Sequence, residues 1–216
     1  SDIAGLRAMR KGKSMTTSSS RPAALLRVGF LFSFLALSGC VSLGGAEPPE
    51  SLLTLTPTTS APAGAAISAA RGEVLALHEP AVPAELDVLR VPVRIDDSSL
   101  AYLKDAVWVE RPAHLFRRLL AETIRTQGER VVLASGDPAA RGSLQMRGTL
   151  SQFGYDATQS AVIVRFDATL LGSDGMVRQQ RFEAIETGIA ADASSVGPAL
   201  NSAANNVARQ VADWLE

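Results

Sequence analysis

The 216 residues include a single cysteine, Cys40. No disulfide can staple such a chain, so its fold must be held by an apolar core alone. The position of Cys40 adds a second constraint. It closes the run Leu37-Ser38-Gly39-Cys40, directly after ten nearly all apolar residues, Val28 to Leu37, with Arg21 and Arg27 just upstream. Ten helical residues rise about 15 Å, roughly half the hydrocarbon core of a bilayer. The run is too short to span a membrane and has no polar face for an amphipathic core helix. A basic region, an apolar region and small residues are the order of a cleavable signal peptide. Residues 1–39 are therefore set apart from the fold. The chain opens on Ser1, and Met9 or Met15 is the expected initiator, giving a leader of 31 or 25 residues.

A signal region that ends in small residues and a cysteine resembles the lipobox of bacterial lipoproteins. The resemblance implies cleavage between Gly39 and Cys40 and fatty acylation (palmitate included) of Cys40. Val41 is not the Asp that favours inner-membrane retention in enteric bacteria, so by that analogy the anchor is expected in the outer membrane, facing the periplasm. Residues 40–216 carry 21 acidic against 15 basic residues, a net charge of about −6. An acidic surface argues against nucleic acid and against electrostatic attachment to anionic lipid. Residues 41–50, Val-Ser-Leu-Gly-Gly-Ala-Glu-Pro-Pro-Glu, read as a tether, since Gly and Pro block regular structure. Extended, it reaches at most ~35 Å. Residues 51–216 are then one domain of ordinary size.

Hydrophobic periodicity predicts the elements of that domain. Ser51–Thr56 alternates and reads as a short strand ended by Pro57; residues 57–71 are a Pro/Ala/Ser/Thr-rich loop. Glu73–His78 is a short strand. Leu86–Ile95 alternates, with Pro92 forcing an edge or a bulge. Leu100–Val109 reads as two short strands around Lys104-Asp105. Pro112 opens a helix whose apolar positions Phe116, Leu119, Leu120, Thr123 and Ile124 face away from Arg117, Arg118, Glu122 and Arg125, and Gly128 stops it. Arg130–Ala134 is a strand. Two longer alternating segments follow, around 144–151 and 162–170. The Ser173-Asp174-Gly175 turn then folds Met176–Ile189 back as a hairpin. A final helix carries the stripe Val196, Leu200, Ala203, Ala204, Val207, Val211 and Leu215, with Asn205, Arg209 and Asp213 lying off it. The expected class is α+β, a mostly antiparallel or mixed sheet of four to six strands with two helices on one face.

Catalytic signatures are scarce. His78 and His114 are the two histidines, and no His-Cys-Asp spacing suggests a metal site. His114 falls in the first helical turn as a surface or capping residue. There is no Gly-rich phosphate loop and no G-x-S-x-G elbow, so the chain is neither a transport ATPase nor a hydrolase of that kind. Asp96-Asp97 on a strand would point to opposite faces, and a turn suits the pair better. No cofactor is expected. Tyr102 and Trp108 are the candidates for partner contact, because aromatics with polar handles favour interfaces. Val107 and Val109 beside Trp108 favour its other role, anchoring the helix onto the sheet. Trp214 reads as a helix-end contact. Glu183, Glu186 and Asp192 are read as solvated charge rather than a docking rim.

The order of elements resembles a known family. The lipobox leads to Leu53-Thr54-Leu55-Thr56-Pro57, then Val91-Pro92-Val93, Leu100-Ala101-Tyr102, and Trp108-Val109-Glu110-Arg111-Pro112 running into a helix. The long hairpin and a C-terminal helix ending Val211-Ala212-Asp213-Trp214-Leu215 complete it. This is similar to the ABC-type transport auxiliary lipoproteins, although members usually carry Tyr where Leu53 stands. The resemblance implies an α/β sandwich and a non-enzymatic accessory role beside an MCE-type subunit, a permease and an ATPase of a Gram-negative transporter. Such systems move phospholipids or other hydrophobic molecules between membranes, and their accessory protein could act as a homo-oligomer. The other reading is a lipoprotein that itself binds a small hydrophobic ligand between sheet and helices. Gly148, Ala168 and Ala204 would either leave that space or allow close packing.

Overall fold

The computed structural model describes residues 51–216 apart from 71, 72, 128, 129 and 173. The signal region, Gly39, Cys40, the 41–50 tether, the helix stop at Gly128 and the turn residue Ser173 lie outside the described residues. In chain order the elements are β1 (Leu75–Leu77), β2 (Arg90–Arg94), β3 (Leu100–Val107), α1 (Pro112–Gln127), β4 (Val132–Ala134), β5 (Leu144–Asp156), β6 (Ala161–Leu171), β7 (Val177–Thr187) and α2 (Ala193–Trp214). The class is α+β, with seven strands in a mixed sheet rather than four to six.

β5 is the hub. One of its edges pairs antiparallel with β6 along nearly its whole length, and β6 pairs antiparallel with β7. Its other edge is shared. β1 pairs parallel with the start of β5, and β4 flanks β1. β2 pairs parallel with the end of β5 at Tyr155 and Asp156, and β3 flanks β2. An Ala81–Thr149 bridge fills the gap between them. Gly154 permits this junction: a Cβ there would sit 2.5 Å from the Pro92 carbonyl oxygen.

Alternation assigns the two faces of the long strands. Val162, Val164, Phe166, Ala168 and Leu170 of β6 and Phe182 and Ala184 of β7 are buried beneath the helices. On β5 the same face is taken by Met146 and Leu150, then by Phe153 and Tyr155. The parity changes because Ser151 is an extra residue, bulged between Leu150–Phe166 and Gln152–Arg165.

Every apolar position predicted for α1 is buried. Phe116 meets Phe166 at 5.2 Å between ring centroids. Pro112 suits the first helical position, where no amide hydrogen is needed. α2 opens at Asp192, whose carboxylate accepts from the Ser195 amide at 2.9 Å. Its predicted stripe is buried too, and Trp214 closes the helix against Phe182 at 5.6 Å. Gly148, Ala168 and Ala204 serve close packing: a Cβ on Gly148 would run into the Phe166 ring, and Ala168 and Ala204 are buried.

Four expectations change. Ser51–Thr56 does not extend as a strand; only Leu53 makes a bridge, to Trp108, because the following residues turn onto the helices instead. Residues 84–86 form a 3-10 turn, so β2 starts at Arg90 rather than Leu86. Leu100–Val107 is one strand, not two. Arg90 pairs with Val107 and Pro92 with Tyr102, and the surplus residues of β3 are absorbed around Asp105, at φ +57°. The irregularity expected of Pro92 falls at this point. Asn205, expected off the apolar stripe, is buried, because the segment after Leu53 lies over it.

Candidate functional site

The described chain begins by crossing the helix layer. Leu53 donates its amide to Val107 O at 2.7 Å and accepts from the Val109 amide at 2.9 Å. Its side chain sits over Gly197 of α2, whose missing Cβ leaves the room. Asn201 then accepts from the Thr56 amide and Asn205 from the Thr58 amide, both at 2.8 Å. Asn205 also donates to Thr56 O and Asn201 O. On α1, Glu122 accepts from the Ala61 amide at 2.8 Å. Residues 53–61 thus form a strap fastened to both helices, with Leu55 buried in the core.

The strap begins beside the β2–β3 ribbon. Arg90 lies over the Tyr102 ring at 4.7 Å, a cation–π contact within ordinary reach. Three ion pairs lie on and beside the ribbon: Arg94 with Asp97 at 2.6 Å, Arg111 with Asp87 at 3.3 Å, and Lys104 with Asp105 at 3.7 Å. Between the ribbon and the helix-free face of β5 and β6 lies an open cleft of about 160 Å³, lined by Glu85, Arg94, Leu100, Gln152, Asp156 and Ile163 among others. Gln152 Oε1 is buried there without a hydrogen-bond partner among the described residues. Burial works against the charge of Asp156. Hydrogen bonds from the Thr158 and Gln159 side chains and the Thr158 amide, with Arg94 nearby, outweigh it and hold its pKa below the usual value. Its work is to pin the β5–β6 turn.

The two aromatic candidates differ in placement. Tyr102 is half-buried on the ribbon, with one ring face under Arg90. Trp108 is only 1% exposed and meets Phe153 at 5.3 Å between centroids. As a partner contact Trp108 is therefore corrected: it fills the core against Phe153, while Val109 beside it is exposed. Its indole Nε1 has no acceptor among the described residues. The two residues are not brought together as one surface.

The histidines are engaged structurally. His78 Nε2 meets Gln145 Oε1 at 2.8 Å, and His114 on α1 lies 2.7 Å from Glu79. Asp96 sits in the β2–β3 turn and accepts from the Ser98 amide, which with the Ser99 and Ser98 hydroxyls lowers its pKa. Asp97 points to Arg94. Among the described residues no group of three His, Cys, Asp or Glu side chains is placed to hold a metal, and no helix is long and apolar enough to cross a membrane. Sequence reasoning missed the Asn201/Asn205 fastening and the Arg90–Tyr102 stack. The signal available for the first was the pair of Asn residues four apart within an Ala-rich helix.

Comparison with known proteins places this architecture. The family model described as "ABC-type transport auxiliary lipoprotein component" matches residues 53–212. Among solved structures, an uncharacterised protein is similar over 77% of this chain and 100% of its own, at 15% identity and a TM-score of 0.61. A Xanthomonas campestris protein of family DUF330 is similar over 76% of this chain and 93% of its own, at 19% identity and a TM-score of 0.61. At these identities the likeness is one of fold. No curated protein matches.

Proposed function

We propose that this chain, which belongs to the ABC-type transport auxiliary lipoprotein family, is the lipid-anchored, non-enzymatic accessory subunit of an MCE-type transporter for phospholipids or other hydrophobic compounds. The family match over residues 53–212 carries the reading. As a family member it is an envelope-associated component of an ABC transport system. The finer statements rest on the residues.

Residues 1–39 are removed between Gly39 and Cys40, Cys40 receives its acyl chains (palmitate among them), residues 40–50 are the tether, and residues 51–216 are the working domain. Two or three chains at about 0.8 kcal/mol per buried CH₂ make a stable anchor. With Val41 next to the cysteine, the anchor sits in the outer membrane, facing the periplasm. The domain works within ~35 Å of that membrane, the extended reach of its tether. There it docks on the MCE subunit, which brings the permease and ATPase, and Tyr102 on the half-exposed ribbon remains the candidate contact. A ring of several copies is compatible with this role.

Purification of the acylated protein from native membranes, with the co-purifying chains identified, tests the reading. Recovery of an MCE subunit with permease and ATPase is expected. Recovery of the acylated protein alone, with stoichiometric lipid, would replace it by a self-sufficient carrier. Cys40→Ser is expected to abolish membrane association, read by flotation and by intact mass.

A further inference from the structure

Ten large apolar side chains are exposed among the described residues, and five of them belong to the β2–β3 ribbon and its flanks: Leu52, Leu89 and Val109 at one end, Ile95 and Leu100 at the turn, each between 44 and 52% accessible. Backbone hydrogen bonds tie them together. Trp108 donates to Leu89 O, Val109 to Leu53 O, and Ile95 to Ser99 O. They therefore sit at the two ends of the β2–β3 ribbon and on the chain segment bridged to it. Between them stand Tyr102 and Arg90, an amphipathic ring capped by a cation. Aliphatic groups flanking a Tyr and an Arg suit the boundary between headgroups and acyl chains.

We propose that the β2–β3 ribbon and the adjoining Leu52 are a membrane-contact face, resting on the bilayer that holds the Cys40 anchor. The inference deepens the functional reading above and depends on its acylated cysteine. Where the tether joins the domain selects this occupant. The chain leaves the tether at residue 51, and Leu53, two residues on, is already hydrogen-bonded to the segment that follows β3. Leu52, Leu89 and Val109 are thus the exposed apolar side chains beside the point where the tether joins the domain.

The other exposed apolar group, Leu171, Met176 and Val177, lies at the β6–β7 hairpin. It adjoins the start of β5, whereas the turn end of the ribbon meets β5 at Tyr155 and Asp156, roughly 33 Å away at 3.3 Å per residue. The charge pattern fits as well. Arg94, Lys104 and Arg111 are each matched by an Asp and Arg90 is engaged with the Tyr102 ring, so apolar contact rather than attraction to anionic lipid is the proposed driving force. The contact is apolar and weak by itself, and the anchor supplies the local concentration that makes it count.

The full-length acylated protein in phosphatidylethanolamine–phosphatidylglycerol vesicles provides the test. Acylated Cys40 has no free thiol, so an environment-sensitive dye can be placed at Val109→Cys, at Leu100→Cys, or at Val177→Cys for comparison. Lipids with a nitroxide high on the acyl chain act as quenchers. Dyes at 109 and 100 are expected to be quenched at least about twofold more than the dye at 177, unchanged at ~1 M salt, where the Debye length is ~3 Å. Equal quenching at the three positions overturns the proposal. So does a dye at 109 shielded from aqueous iodide yet untouched by the lipid quencher, which would give the face to a protein partner or a second copy. Vesicle flotation separates the two failures. Protein that does not float has no anchor and removes the proposal with the reading beneath it; protein that floats unquenched removes only the contact face.

Discussion

On the helix-covered side of β5–β7, Met146, Leu150, Phe153, Phe166 and Phe182 are closed over by α1 and α2. On the open side of the same strands stand Thr149, Gln152, Arg165, Asp167, Thr169, Gln179, Arg181 and Glu183. Those polar groups satisfy one another across the strands. Arg165 pairs with Glu183, Arg181 with Asp167 at 2.5 Å, Ser151 donates to Asp167, and Gln179 to Thr169. Two faces separated by one peptide of alternation thus do different work. The covered face excludes water and sets the stability. The open face pairs its central charges across the strands, with Arg147 and the Ile163–Ile185 pair standing on it as well. Cross-strand pairs of this kind contribute modestly, whereas buried aromatic rings dominate a core.

The contrast can be broken by substitution. Phe166→Ala removes a ring wedged between Phe116, Gly148 and Phe182 and is expected to cost about 3–5 kcal/mol, read by urea unfolding. Gly148→Val pushes a side chain into that ring and should cost about 1–3 kcal/mol by overpacking, read in the same titration. Asn205→Ala leaves the Thr58 amide and the Thr56 carbonyl without their partner; about 1–3 kcal/mol is expected, with faster hydrogen exchange at Thr58 while the β5–β6 amides stay protected.

The smallest effect belongs to Asp167→Asn on the open face. The Arg181 hydrogen bond, opposed by burial and aided by Ser151, holds the Asp167 pKa below its usual value. A depressed carboxylate pKa stabilises fully above the unfolded-state value and is lost as pH falls through the folded-state value. The wild-type advantage over Asp167→Asn should therefore be present at neutral pH and vanish in acid. An open-face variant as costly as Phe166→Ala would end the distinction between the faces.

Much of this could be read in the chain before it folded. Both helices declare themselves by stripes of period 3.6, β6 by the alternation of Val162 to Leu170, and β7 by the turn that precedes it. What stayed hidden depends on one residue or on distant partners. A single bulge at Ser151 shifts the parity of β5, so Phe153 and Tyr155 reach the core face although they break the alternation set by Leu144 to Leu150. Asp105 in the left-handed region lets β3 run through a stretch that reads as two strands. Asn205 sits on the polar flank of its helix and is buried only because a segment some 145 residues earlier lies on it. Tyr102 and Trp108 look alike as interface aromatics. Only the approach of Phe153 from β5 decides that one is core and the other surface.

The strap also gives the domain a mechanical order of failure. A tug transmitted through residue 51 meets first the lone bridge between Leu53 and the Val107–Val109 backbone, then the Asn201 and Asn205 fasteners, and only afterwards the helices themselves. These links lie in series along the peptide, so they open in succession, like a zip, rather than sharing the load. A pull applied at residue 51 would therefore lift the strap before it reached the seven-stranded sheet, so the strap would act as a fuse for the body it is fastened to.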